Sequence, residues 1–326
     1  MTTVGMTESV LLVGLGQIGM GYDLSLDSDD CIYTHARAFS LHPSFELSAA
    51  MDPSDIKRTL FKSHYGKPAY GDLKEALERH QARIVVIAGP TESHGSLVEQ
   101  VLQYSAVEVI LCEKPLAYGL QDAREIVARC HDAGVTLFVN YVRRVDKGFL
   151  EVKRRFDEDL ISTPVKGSVW YSNGFLNNGS HFFNLLEFWL GGLVLAKIVN
   201  RGRYCGKNDV EPDVYVEFER GKVMFQAVGE EIPSHYSLEI LGPSGRLGYK
   251  QGQSDISWQP AKPHPWSSRH TVFRAEPEVI EGGMQRYQWH VADHLARYLD
   301  SKSQKLCTGD QALATLEAMH QIINLR

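Results

Sequence analysis

Gly14-Leu15-Gly16-Gln17-Ile18-Gly19 directly follows the apolar run Val10–Val13 and has the spacing G-x-G-x-x-G. In such a loop the first glycine permits a tight turn and the second lets the backbone approach a pyrophosphate. The third allows a helix to pack closely on the strand, and helix N–H groups hold the anion. That chemistry is dinucleotide binding. A plain strand-to-helix turn is the bland reading, outweighed here because the loop opens a strand–helix–strand pattern. Asp52 ends the next strand, where a carboxylate accepts both hydroxyls of an adenosine ribose and repels a 2′-phosphate, so NAD is expected over NADP. Lys57 and Arg58 keep a 2′-phosphate reading open, and a helix-cap or turn role for Asp52 stands beside it. Asp52 follows Gly19 by 33 residues, where about 20 is usual. Met20–Tyr33 (MGYDLSLDSDDCIY) accounts for the excess as an acidic insertion, after which the helix resumes at Thr34-His35-Ala36.

The elements that must position this loop alternate. Val10–Val13, Phe45–Met51, Arg83–Ala88, Val107–Cys112 and Val135–Val139 read as strands, mostly apolar throughout, as parallel strands covered on both faces are. Between them Ala36–Leu41, Ser54–Tyr65, Leu73–His80, Ser93–Tyr104 and Leu120–Ala133 read as helices. The expected fold class is α/β: an N-terminal Rossmann domain with a doubly wound parallel sheet, over residues 1–145. Beyond Val145 the rhythm changes. Helices are expected at Gly148–Leu160 and Ser180–Leu190 around a strand at Val165–Tyr171. Alternating segments follow at Val194–Arg203, Val214–Phe218, Val223–Val228 and Tyr236–Leu241, separated by turn signals. Residues 146–326 are therefore expected to form an α+β domain with a mostly antiparallel, open-faced sheet. Gln253–Glu281, rich in Pro, Ser and Trp, is expected to form loops. Helices at Met284–Asp300 and Asp310–Asn324 close the chain, the last expected to pack back on the first domain.

Composition narrows the function. The 326 residues carry 34 Lys plus Arg against 40 Asp plus Glu, a net charge of −6, which lacks the basic excess of a general nucleic-acid binder. The longest uncharged apolar run is nine residues, Phe188–Ala196, against the roughly 20 that a membrane span needs. No Lys or Arg precedes the apolar stretch of MTTVGMTESVLLVGLG, so no secretory signal is expected. Five scattered cysteines without a C-x-x-C pair suggest neither a disulfide framework nor a zinc site, and a cytoplasmic location is expected.

Further along, Glu113-Lys114-Pro115 follows the fifth strand and Gly89-Pro90-Thr91-Glu92-Ser93-His94 the fourth. Asn140-Tyr141-Val142-Arg143-Arg144 follows the sixth, and Asn178-Gly179-Ser180-His181 opens the aromatic helix. Together with the glycine loop these resemble the glucose–fructose oxidoreductase / inositol dehydrogenase / MocA family over essentially the whole chain. The resemblance implies an NAD(P)-dependent oxidoreductase acting on a secondary hydroxyl of a sugar, nucleotide sugar or polyol. The chemistry can be argued beside it. Removing a hydride from an alcohol needs a base for the hydroxyl proton, which an imidazole suits, and a positive group near the developing alkoxide. His181 and Lys114 are the candidates, with Pro115 fixing the backbone that aims Lys114. By the same resemblance Gly14, Gly16, Gln17, Ile18, Gly19, Asp52, Pro90, His94, Glu113 and Asn140 would contact the cofactor, Glu113 facing the nicotinamide ribose. By their position at the strand end and the His181 helix, Tyr171, Asn173, Asn177, Asn178 and Asn184 are expected to face the substrate, and Arg143, with Arg144, to bind a carboxylate or phosphate, a solvated charge or a salt bridge with Asp146 standing beside that reading.

One departure stands out. Many dehydrogenases of that family carry Asp four residues before the histidine and another three after it; here those positions hold Asn177 and Asn184. An amide orients an imidazole but adds no charge to raise its basicity. Branches acting on amino sugars and nucleotide-linked sugars vary there, which favours that substrate class. Two alternatives remain: an enzyme that retains NAD and cleaves a glycosidic bond through transient oxidation, and a non-catalytic sugar sensor. A homodimer or homotetramer is implied by the resemblance alone.

Overall fold

A computed structural model describes residues 7–26 and 30–325. Residues 1–6 of the stretch read for a leader, and 27–29 of the acidic insertion, lie outside them. The chain divides into two compact units, residues 1–145 with 285–313 and residues 146–284 with 314–326. In chain order the first contributes β1 (Glu8–Val13), α1 (His35–Leu41), β2 (Phe45–Met51), α2 (Asp55–Tyr65), β3 (Ala69–Tyr70) and α3 (Leu73–His80). It continues with β4 (Ile84–Ile87), α4 (His94–Val101), β5 (Val109–Cys112), α5 (Leu120–Asp132) and β6 (Thr136–Val139). The second holds α6 (Lys147–Asp157), β7 (Val165–Tyr171), α7 (Ser180–Leu190), β8 (Leu193–Asn200), β9 (Tyr204–Cys205) and β10 (Asp209–Val210). β11 (Asp213–Phe218), β12 (Gly221–Ala227), β13 (Ser237–Gly242), β14 (Gly245–Lys250), β15 (Ile256–His264), β16 (Ser267–Phe273) and β17 (Glu278–Ile280) follow. The chain then returns to the first unit through α8 (Tyr287–Ser301) and β18 (Cys307–Thr308), and α9 (Gly309–Ile323) ends in the second.

The first sheet runs β18-β6-β5-β4-β1-β2-β3, with β1 to β6 all parallel and β18 antiparallel at the edge. The order 3-2-1-4-5-6 is the doubly wound arrangement expected from the apolar strands, and its switch point lies between β1 and β4. Val10–Val13, Ile84–Ile87 and Val109–Cys112 are all buried, as central parallel strands covered on both faces must be.

In the second unit a nine-stranded sheet runs β16-β15-β14-β13-β7-β12-β11-β8, with β17 beside β15. Only β7 and β12 are parallel; the other pairings are antiparallel. Alternate residues of β11 (Val214, Val216, Phe218) are buried, the period-2 pattern of a sheet covered on one face. Phe175, Phe183, Phe218 and Phe225 pack ring against ring at 5.4–6.3 Å. Each fully buried ring contributes roughly 1.5–3 kcal/mol of apolar burial. Residues 253–281 correct the loop expectation: they hold β15, β16 and β17. Pro260 and Pro263 broke the strand signal, yet β15 lies toward one end of the sheet, where missing N–H groups are tolerated.

Candidate active site

In the first unit the glycine loop leaves β1 at the switch point. Gly14 has φ +101° and passes so close to β4's end that a Cβ would stand 2.6 Å from the Ala88 carbonyl carbon. At Gly19 a Cβ would meet the Gly14 carbonyl oxygen at 2.1 Å, whereas at Gly16 it would meet nothing within 4 Å. Two glycines are thus demanded by packing, and the third bares the backbone toward open space, which fits a pyrophosphate. Gln17 is exposed and Ile18 half-buried on the same loop.

The helix after the loop makes one turn, with Met20 N donating to Gly16 O and Tyr22 N to Gln17 O, and then breaks off. It resumes as α1, whose first N–H groups, His35 and Ala36, donate to Ile18 O and Gly19 O. The insertion is therefore an excursion out of a helix whose hydrogen-bond ladder continues across the gap. Buried Asp23 anchors it. Its carboxylate accepts from the N–H groups of Tyr33 (2.7 Å) and Thr34 (2.9 Å) and from Thr34 Oγ1 (2.6 Å). Thr34 caps α1, accepting Arg37 N at 3.3 Å.

Asp52 is buried at the end of β2. Its carboxylate accepts from Leu15 N of the glycine loop (2.8 Å), Ser54 N (2.9 Å) and Lys57 Nζ (3.3 Å). Arg58 donates to the Asp52 carbonyl at 2.7 Å and pairs with Asp55. Both nearby cations are engaged by acidic or carbonyl oxygens.

Lys114 leaves the C-terminal end of β5, half-buried, and the Lys114–Pro115 peptide bond is cis. Beside it Glu113 lies in a buried polar network. Its Oε1 accepts from His35 Nε2 at 2.8 Å and Asn140 Nδ2 at 2.6 Å, and Asn140 Nδ2 also reaches Gln288 Oε1 at 3.2 Å. Oε2 accepts from Lys114 N at 3.3 Å. Burial alone would push this carboxyl up; the hydrogen bonds of His35 and Asn140 and the Lys114 charge hold it below its ordinary value. His94, fully buried, sets Nδ1 3.1 Å from Leu116 O and Nε2 3.2 Å from Gly89 O, and burial lowers its proton affinity. It braces the loop after β4 against the Lys114 loop. Pro90 is exposed on the former, and its carbonyl accepts from Ser93 Oγ at 2.7 Å. Arg143 is buried in the short helical turn after β6.

In the second unit, β7 ends in a turn with Asn173 at φ +64° and Gly174 at φ +93°, followed by a π-turn over Gly174–Gly179 that runs into α7. His181 is the second residue of α7 and half-buried. Asn173 is exposed, its Nδ2 donating to Ser234 Oγ at 3.1 Å; Asn177 Nδ2 donates to the Asn173 carbonyl at 3.1 Å. Asn177 and Asn178 are half-buried, so three of the expected substrate-facing amides share the turn that carries His181. Two other expected contacts are directed elsewhere. Tyr171 is fully buried and its hydroxyl donates to Pro212 O at 2.6 Å, and Asn184 is buried with Nδ2 donating to Thr315 Oγ1 on α9 at 2.9 Å. Both bind fold elements together because their periodicity places them on the inner faces of β7 and α7.

Sequence reasoning missed His35, Gln288 and Asp23, and missed two buried acids behind the His181 turn. Asp209 accepts from the N–H groups of Leu176 and Asn177, each at 2.9 Å; Glu211 accepts from Gly174 N at 3.0 Å and Arg203 Nε at 2.8 Å. Only the acidic residues in Asn208-Asp209-Val210-Glu211-Pro212, without spacing or motif, marked them.

A parallel sheet with a glycine loop at its switch point defines a dinucleotide-binding scaffold, and residues 9–141 match the oxidoreductase family with an NAD-binding Rossmann fold. Over that stretch the chain is similar to the glucose–fructose oxidoreductase / inositol dehydrogenase / MocA family. It is 23% identical over 264 residues to a scyllo-inositol 2-dehydrogenase (NAD(+)) of Bacillus subtilis (strain 168), covering 72% of each. A solved structure from Desulfitobacterium hafniense, provisionally named an NADPH-dependent oxidoreductase, matches with TM-score 0.78 and 16% identity over 98% of this chain and 95% of that one. The WlbA dehydrogenase of Bordetella pertussis, solved with NADH and UDP-GlcNAcA, matches with TM-score 0.73 and 19% identity over 97% and 94%. Among the described residues no helix is long and apolar enough to cross a membrane.

Proposed function

We propose that this chain is an NAD-dependent dehydrogenase that moves a hydride from a secondary hydroxyl of a sugar or polyol, with Lys114 and His181 at the reacting oxygen. The observation that carries this reading is the mounting of Lys114. It projects from the C-terminal edge of a Rossmann sheet, the edge where ligands bind in open α/β folds, and its backbone N–H and its neighbour Glu113 are tied into a buried network. An ammonium carried on a backbone so fixed stabilises the negative charge that grows on an alcohol oxygen as the hydride leaves. His181 takes the hydroxyl proton, the task an imidazole performs near neutral pH. When bound, the nicotinamide supplies the hydride acceptor. The glycine loop suits its pyrophosphate, and the acidic Asp52, with Lys57 and Arg58 already engaged beside it, favours NAD over NADP.

The test is a mass spectrum of the as-purified protein for retained dinucleotide, followed by a screen of polyols, amino sugars and nucleotide sugars. A steady rise in NADH absorbance with one of them is the expected result. Product release without net cofactor change would replace this reading by transient oxidation, and tight sugar binding with no turnover would replace it by a sensor.

A further inference from the structure

The helical run that carries His181 begins in backbone that has left regular geometry. The first N–H groups of any helix lack an intrahelical acceptor, and here they start from a turn with φ +64° at Asn173 and φ +93° at Gly174. Such conformations persist only where their surroundings over-determine them. What surrounds this turn is a pair of carboxylates. Glu211 Oε1 takes Gly174 N (3.0 Å), Asp209 Oδ1 takes Leu176 N (2.9 Å) and Oδ2 takes Asn177 N (2.9 Å). Asp209 Oδ1 also accepts Val210 N at 2.8 Å, fixing the short β9–β10 ladder against the turn. The fit is close: a Cβ at residue 174 would stand 2.1 Å from Asp209 Oδ2.

We propose that Asp209 and Glu211 are the positioning residues of the His181 turn, two buried carboxylates that fix its backbone and place negative charge at the start of the helix bearing the imidazole. The proposal rests on the reading of His181 as the acid/base group. Glu211 and Asp209 are 1% and 6% exposed, and charges buried to that degree are costly unless they are hydrogen-bonded or paired. Glu211 shares itself with Arg203, whereas the hydrogen bonds shown for Asp209 are all to backbone N–H groups. Burial pushes the Asp209 carboxyl up, and the N–H groups of Leu176, Asn177, Val210 and Phe175 oppose that. Among the described residues Arg203, Cys205 and Tyr171 also interact with the pair, and Asp213 acts on Tyr171 beside it. Negative charge at a helix N-terminus is favourable and acts on the first turn, where His181 sits. The carboxylate that Asn177 and Asn184 do not supply thus comes from behind the turn.

The test is a pH titration by NMR of the full chain labelled with 13C,15N-histidine, with His181 assigned by the signal lost in His181→Gln. In Asp209→Asn the His181 signal is expected to move and its midpoint to fall by about half a pH unit or more, since a negative charge near an imidazole favours its protonated form. Glu211→Gln is expected to move it the same way by less. NADH affinity, a property of the first unit, stays at the wild-type value in both. An unmoved His181 signal and midpoint in both folded variants would overturn the proposal, even if their melting temperatures fell. If Asp209→Asn does not fold, Glu211→Gln is judged by the same criterion. His181→Gln oxidising its polyol at the wild-type rate would refute the acid/base reading while leaving the titration result standing.

Discussion

The Lys114 loop and the His181 turn solve one problem in two ways. The Lys114 loop is held by side chains that meet side chains: His35, Asn140 and, through Asn140, Gln288 gather around the Glu113 carboxylate, which also takes Lys114 N, and His94 braces the loop. The His181 turn is held by carboxylates that meet backbone, at Gly174, Leu176 and Asn177. A side-chain network tolerates a regular strand end beneath it. A backbone clamp permits an irregular turn, and the left-handed Asn173 and Gly174 show that it is used. The first arrangement fixes a carboxylate; the second fixes the path of a backbone.

Substitutions can break this contrast at graded points. The largest effects are expected at the two proposed reacting groups: with Lys114→Ala turnover falls by about 10²–10³-fold, the scale of losing one electrostatic stabiliser, while NADH binding followed by fluorescence stays near wild type. Near-normal turnover would remove Lys114 from the chemistry. His181→Gln is expected to lower turnover by about 10²–10⁴-fold and to flatten the pH–rate profile where the imidazole titrates; an unchanged profile would count against its role.

Glu113→Gln tests the network itself. The folded protein holds this carboxyl below its ordinary value, so its contribution to stability is present above the unfolded carboxylate range and is lost as pH falls through the depressed folded value. Melting temperatures between pH 7 and pH 3 should therefore fall more steeply for wild type than for Glu113→Gln. Parallel curves would show that the network carries no charge-linked stability. Asn184→Ala should have the smallest effect, costing about 1 kcal/mol for the lost bond to Thr315. Urea unfolding measures it; a loss of turnover without loss of stability would return Asn184 to the substrate.

The same contrast explains what was legible in the residues. β1, β4 and β5 announce themselves because parallel strands buried on both faces must be apolar throughout, and the glycine loop because two of its three glycines fill positions no side chain could occupy. The place of Lys114 at the end of β5 was readable because Glu113 and Pro115 are its neighbours in the chain. Asp209 and Glu211 were not, since they reach the His181 turn across more than thirty residues, and hydrogen bonds to backbone leave no signature in the residues that donate them. Tyr171 and Asn184 were misdirected for a related reason: polar type suggested the cleft, while position on a covered face decided otherwise. β15 was hidden by prolines that only its place toward one end of the sheet excuses.

The interrupted helix after the glycine loop has a consequence of its own. Gly16 and Gln17 give their carbonyls to residues 20–22, and Ile18 and Gly19 give theirs to His35 and Ala36, so the chain departs and rejoins within a single turn. Closing a flexible segment costs only slowly more as it lengthens. That makes the excursion a splice site: segments of other lengths could be grafted between Leu26 and Ile32, and a new recognition surface added near the phosphate loop, with the Asp23 anchor and both halves of the ladder left intact.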